Sequence, residues 1–191
     1  MFSRFSVSSI IVLIAVIWGV SLWVLGVELT WEHAKPFSIT VSVVTLMLTG
    51  FERFLWRIPP VSWFCPVPNL SGTWTVVLQS SYYDPATQMK VDPVIGSAMI
   101  RQTFSSLSIR ISTGSQSSFL IAQNIIKHGD GAVEIIGVYQ SDPDIHLRGK
   151  SSEIHYGAFR YSVAGTPPNE IRGAYWTDRN TNGSIHMARE T

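Results

Sequence analysis

Leu107-Ser108-Ile109-Arg110-Ile111-Ser112-Thr113 alternates apolar and polar side chains along most of its length. Successive side chains of a strand point to opposite faces, so period two marks a strand with one buried and one wet side. Leu107, Ile109, Ile111 and Thr113 fall on the inner face, and Ser108 and Arg110 on the outer. Runs rich in β-branched and aromatic residues extend this pattern through the rest of the chain. They predict strands at Leu70–Ser81, Val94–Thr103, Ser106–Thr113, Ser118–Lys127, Ala132–Gln140, Ile145–Ser151, Ala158–Val163, Ile171–Thr177 and Gly183–Arg189. Turn residues separate them at Thr113-Gly114-Ser115, Gly129-Asp130-Gly131, Ser141-Asp142-Pro143, Thr166-Pro167-Pro168-Asn169 and Asn180-Thr181-Asn182-Gly183. Short strands in this number predict a compact all-β, up-and-down antiparallel barrel of about eight strands, whose closure removes open sheet edges. A two-sheet sandwich is the alternative.

Alternation assigns inner faces elsewhere too. Trp74, Val76 and Leu78 share one, as do Ala98, Ile100 and Gln102. Val133, Ile135 and Tyr139 follow, then Phe159, Tyr161 and Val163, then Gly173, Tyr175 and Thr177. A barrel of about eight strands has room for packed side chains or one small ligand. Gln102, Thr113, Tyr139, Tyr175 and Thr177 are polar groups on these apolar registers. An apolar wall with a few placed polar groups has the composition of a ligand pocket. Arg101 and Arg110 are expected to point outward.

The chain before the barrel differs in kind. Phe5–Val27, FSVSSIIVLIAVIWGVSLWVLGV, is 23 residues without a charge. As a helix it reaches about 34 Å, enough for a bilayer core of about 30 Å. After the polar Glu28–Lys35, Pro36 is expected to open a second apolar helix, Phe37 to about Trp56. Residues 1–57 thus read as an N-terminal transmembrane α-hairpin with helices at about 5–27 and 37–56. Residues 58–69 contain Pro59, Pro60, Pro66 and Pro68 and read as an extended linker without helix, followed by the barrel at 70–191. Arg4, Arg53 and Arg57 outnumber Lys35 of the short connection, which places the N-terminus and the barrel in the cytoplasm. A cleaved signal peptide is the alternative, against which stand the length of the run and the lack of a small-residue cleavage pattern. Ser38, Ser42, Thr45 and Thr49 form a helical stripe, and Ala15 and Gly19 a small-residue pair. Either suits packing within the hairpin or a seam between protomers.

From Leu70 onward there are ten Lys and Arg against ten Asp and Glu, with no basic stripe of the kind that duplex DNA requires. The single cysteine, Cys65, excludes an internal disulfide framework and a four-cysteine zinc site. His33, His128, His146, His155 and His186 lack metal-ligand spacing, and no G-x-S-x-G, P-loop or G-x-G-x-x-G occurs. A protein without enzymatic activity, cofactor or metal is expected. His146 and His155 alternate with apolar residues and are expected on solvent-facing strand positions.

Two motifs remain. Leu70-Ser71-Gly72-Thr73-Trp74 has the G-x-W arrangement of the first strand of lipocalin-like barrels, where the tryptophan plugs the floor. Arg172-Gly173-Ala174-Tyr175-Trp176-Thr177-Asp178-Arg179-Asn180-Thr181-Asn182-Gly183-Ser184-Ile185 joins the last two strands through a polar turn. With the two apolar helices and the linker before them, the chain resembles, over nearly its whole length, the two-transmembrane β-barrel effectors of bacterial CBASS anti-phage systems. Those effectors are associated with cGAS/DncV-like nucleotidyltransferases. The resemblance implies a multi-pass protein of the bacterial inner membrane whose cytoplasmic barrel binds a cyclic dinucleotide. It also implies ligand-induced homo-oligomerisation, disruption of the lipid bilayer and abortive-infection cell death.

A cyclic dinucleotide needs cations or donors for two phosphates and flat side chains against which bases stack. Arg179, Thr177 and Thr181 are candidates for the phosphates. Tyr82, Tyr83, Tyr139, Tyr175 and Trp176 are candidates for the bases, and Gln102, Thr113 and Ser115 for base edges. The preferred ligand-binding set is Tyr82, Gln102, Thr113, Tyr139, Tyr175, Thr177, Arg179 and Thr181. A rival reading, resting on Trp74 and the apolar interior, is a membrane-tethered lipocalin-like carrier of an apolar ligand.

Overall fold

The computed structural model describes residues 7–27, 30–65, 67–83, 88–148, 153–165 and 167–190, without the side chains of 7–11, 13, 31–38 and 40. Several expectations lie outside these residues: those on Arg4, on the ends of the first helix at 5–6, on the Ser38 and Lys35 side chains, on Thr166, and on 149–151 of the strand Ile145–Ser151. The chain forms two compact units, residues 1–62 with 103–106, and residues 63–102 with 107–191.

The first unit carries α1 (Val7–Val24) and α2 (Trp31–Arg53). The second helix begins earlier than expected. It takes Pro36 into its early turns, at the cost of one backbone hydrogen bond, instead of starting there. Among the described residues, no helix is long and apolar enough to cross a membrane. The side chains of 7–11 and 13, part of the apolar run of α1, lie outside that set. At the end of α2, the Glu52 carboxylate accepts hydrogen bonds from Thr103 Oγ1 (2.5 Å), Ser105 Oγ (2.7 Å) and Ser105 N–H (3.2 Å). Phe104 packs edge-on against Phe51 and Trp56, with centroids 4.9 and 6.3 Å away. The linker is not wholly extended, as had been expected. A 3-10 turn at Leu55–Arg57 leads into a helical turn, α3, at Val61–Phe64. α2 has already ended at Arg53, and Pro59 and Pro60 do not prevent a new turn directly after them, since proline is tolerated at the start of a helix.

The second unit is a closed antiparallel barrel. Its strands are β1 (Gly72–Ser80), β2 (Val94–Gln102), β3 (Leu107–Thr113), β4 (Gln116–Lys127), β5 (Val133–Pro143), β6 (His155–Ala164), β7 (Glu170–Thr177) and β8 (Asn182–Arg189). Each pairs with its neighbour in sequence, and β1 closes on β8 from Trp74↔Arg189 to Ser80↔Gly183. The expected strand at Ile145–Ser151 is not formed among its described residues. Ile145–Leu147 is a 3-10 turn on the connection between β5 and β6. One irregularity, between Leu120 and Ala122 on β4, shifts the register against β5.

The floor is built at the starts of the odd-numbered strands. Trp74 and Leu70 are wholly buried, and the indole Nε1 donates to the Leu70 carbonyl over 3.0 Å. The Arg189 guanidinium lies 4.7 Å from the Trp74 ring centre and donates to the Asn69 carbonyl over 2.7 Å. Val76, Ala98, Ile100, Ile135, Ile171, Ile185 and Met187 complete the buried core around it. Burial of apolar side chains this complete is the main stabilising term of the barrel.

Candidate functional site

The core does not fill the barrel. At the ends of the odd strands and the starts of the even ones, the interior opens into a cavity of about 500 Å³. Its base is aromatic. Phe159 and Tyr161 follow each other on the inner face of β6, their rings stacked with centroids 4.1 Å apart. Tyr139 stands beside Phe159 at 6.4 Å. Leu78, Ile109, Ile111 and Leu120 supply aliphatic wall.

Glycines make this arrangement possible. Phe159 is paired with Gly137, Tyr139 with Gly157, Tyr161 with Gly173 and Tyr175 with Gly183. At each of these glycines an added Cβ would collide with the ring of its partner. The aromatic side chains therefore lie over bare backbone, which lets four rings enter one half of a narrow barrel.

Polar groups ring the cavity above these aromatics. Ser118 Oγ donates to Ser141 Oγ over 2.9 Å. Thr177 and Thr181 share a 2.7 Å hydroxyl contact, and the backbone N–H groups of Arg179 and Thr181 both donate to Thr177 Oγ1. The turn between β7 and β8 is closed by Asn180 at φ 58, a left-handed conformation that asparagine tolerates. It carries the Arg179 guanidinium, which donates to the Glu153 carbonyl. The described lining residues include no carboxylate.

Three phenols of the cavity, those of Tyr139, Tyr161 and Tyr175, are held neutral. Burial pushes the Tyr139 hydroxyl well above the ordinary range, and Tyr175 and Asp178 add to the effect. Burial does the same for Tyr161, with Tyr139 and Tyr175 contributing. Tyr175 is also raised by burial, against the opposing effect of a hydrogen bond with Ser80. Each phenol is thus an O–H able to donate or accept, set in an apolar wall.

Seven of the eight expected binding residues line the cavity: Tyr82, Thr113, Tyr139, Tyr175, Thr177, Arg179 and Thr181. Gln102 does not. It is buried at the floor, where its amide accepts from Leu70 N–H (2.8 Å) and donates to the Pro68 carbonyl (3.0 Å). Tyr83, Ser115 and Trp176 are absent from the lining, and Tyr83 and Trp176 are exposed. Arg101 and Arg110 are exposed, as their outer register requires. His155, expected in solvent, is buried and lines the cavity. β6 begins three residues before the expected start, so the inner register of Tyr161 and Phe159 runs back through Gly157 to His155. Ser80, Gln116, Ser118 and Ser141 also line the cavity, and counting by two from Leu78 and Tyr139 reaches Ser80 and Ser141.

A family model described as Cap15, cyclic dinucleotide receptor domain, matches residues 65–189 and so takes in the whole barrel. CD-NTase-associated protein 15 of Staphylococcus schleiferi is 26% identical over 178 residues, covering 93% of this chain and 88% of that protein. The fold, the cavity and the match along the barrel agree, and the chain belongs to the Cap15 cyclic dinucleotide receptor family of CBASS effectors.

Proposed function

We propose that the cavity receives a cyclic dinucleotide and that occupancy drives self-association of the chain in the bacterial inner membrane, where α1 and α2 disrupt the bilayer. The observation that carries this reading is the cavity itself. About 500 Å³ lies within the usual range of ligand pockets, and the described residues of its wall offer aromatic faces, hydroxyls and one arginine without a carboxylate. Bases stack on Tyr139, Tyr175 and Tyr82, while Arg179, Thr177 and Thr181 hold phosphate oxygens and Thr113 meets a base edge. Neutral phenols accept or donate to base edges without repelling an anion.

The membrane part rests on separate support. The α1 sequence carries no charge over 18 residues, which span about 27 Å. Val16, Val20, Trp23, Val24, Leu46 and Met47 are exposed, an apolar surface that calls for lipid or protein cover. For ligand to drive assembly it must bind the assembled form more tightly than the monomer. The protein acts as a signal-driven effector without catalysis, linked to a nucleotidyltransferase that makes the signal. Co-expression with such an enzyme tests the proposal. Toxicity is expected from the full chain and is expected to vanish when residues 1–57 are removed. Toxicity from the barrel alone, or none from the full chain, would contradict it.

A further inference from the structure

We propose that His155 is a phosphate contact of the cavity, and that its ring takes up a proton as the anionic ligand binds. This rests on the cyclic dinucleotide reading above. Among the described lining residues, Arg179 is the only side chain with a permanent positive charge, whereas the ligand carries two negative phosphates. A buried charge without a counter-charge is costly. His155 is the other lining group able to become positive near neutral pH. It is 9% exposed, so any charge on it stands out of bulk water.

The hydrogen bonding of the ring fixes how the proton acts. His155 Nδ1 lies 3.2 Å from the Glu153 carbonyl oxygen. A carbonyl only accepts, so Nδ1 carries the hydrogen and Nε2 of the neutral ring carries a lone pair. That lone pair repels a phosphate oxygen, and a proton on Nε2 turns it into a charged donor. The Arg179 guanidinium donates to the same Glu153 carbonyl. One backbone oxygen thus gathers the imidazole and the guanidinium at one edge of the cavity.

The elements beside the imidazole carry these other titratable groups. On β5, Ser141 faces His155 in register, and the neighbouring Asp142 accepts from Gln140. In the turn between β7 and β8, Asp178 accepts from Tyr156 N–H next to Arg179. Glu153 precedes the ring on its own segment, and Tyr139, Tyr161 and Tyr175 face the cavity as neutral phenols. Burial keeps the protons on the three phenols, which leaves imidazole chemistry as what pH variation around neutrality probes here.

The bound ring holds its proton more firmly than the free ring. Affinity therefore rises as pH falls between the two titrations, by up to about tenfold per pH unit. The test is calorimetric titration of the full chain in detergent micelles with cyclic di-AMP, cyclic di-GMP and cyclic UMP–AMP. The tightest of these is then followed from pH 6 to 8.5 in two buffers of different ionisation enthalpy. Uptake of a fraction of a proton near neutral pH is expected, with weaker binding at high pH. His155→Gln is expected to bind about tenfold more weakly at pH 6, to match the parent at pH 8.5 and to take up no proton. A flat pH profile of the parent, or undiminished proton uptake by His155→Gln, would overturn the proposal. If that variant fails to fold, the parent's proton uptake decides alone. Binding of no cyclic dinucleotide at any pH would overturn the receptor reading itself, and this inference with it.

Discussion

Tyr139 faces Gly157 across β5 and β6, and a Cβ on that glycine would stand 2.5 Å from the phenol oxygen. The same site is bounded by the Trp176 carbonyl on β7, so neither neighbour leaves room. The ring thereby lies against the barrel wall, with its hydroxyl end over the Gly157 backbone.

Gly157→Ala is accordingly expected to displace Tyr139 and to strain the pairing of β6 with β7. Overpacking of this kind costs about 1–3 kcal/mol. Chemical denaturation will read the loss, and titration of the folded protein is expected to show weakened ligand binding as well. An unchanged denaturation midpoint would mean that the wall yields more easily than the close contacts indicate.

Gln102 belongs to the floor of the barrel and not to the cavity. Its substitution by leucine leaves the Leu70 N–H and the Pro68 carbonyl without their partner, at about 1–3 kcal/mol for each buried group. A lower thermal midpoint is expected, while ligand affinity of the folded protein stays within about twofold of the parent. A selective loss of affinity at full stability would return Gln102 to the binding set.

Stability is expected to fall on both sides of a neutral plateau. Tyr139, Tyr161 and Tyr175 hold their protons above the ordinary phenol value of 10.0 in the folded state. The unfolded chain gives them up first, so this stabilisation is complete below pH 10 and is lost as pH rises beyond it. Glu134 is lowered from 4.5 by hydrogen bonds from Arg160 and His128, and Glu170 by those from Arg172 and His186. Their contribution is present above 4.5 and disappears as pH falls below it. Thermal midpoints measured from pH 3 to 11.5 check both edges, and Tyr161→Phe is expected to soften the alkaline one.

Much of the barrel was legible because strand parity survives without tertiary knowledge. Leu107–Thr113 is a strand as its alternation demands, and the parity of Thr113, Tyr139, Tyr175 and Thr177 leads to the cavity wall. Parity gives the face of a side chain but not its height along the barrel axis. Gln102 therefore had the right face and the wrong end, since height depends on how the strands stagger on closure. His155 was missed because Gly157 interrupts the apolar run and made the strand seem to start at Ala158. The glycine is there for Tyr139, a cross-strand relation that local pattern does not contain. The run Ile145 to Leu147 looked like a strand from composition alone, yet it lies just beyond Pro143, where β5 ends, and the chain turns there.

Arg179 is exposed on the turn between β7 and β8, where its guanidinium donates to the Glu153 carbonyl, so Arg179→Ala is expected to cost no more than about 1 kcal/mol of stability. Ligand affinity is expected to fall about ten- to hundredfold, the worth of a hydrogen bond to a charged group. Equal affinity in parent and variant would remove Arg179 from the phosphate site.

The most direct measurement is calorimetric titration of the full chain, in detergent micelles at neutral pH, with a panel of cyclic dinucleotides. Saturable binding of at least one member is expected, at one ligand per chain and with Tyr139→Ala strongly weakened. Failure of every member to bind a folded, monodisperse protein would contradict the assignment of the cavity as a cyclic dinucleotide receptor.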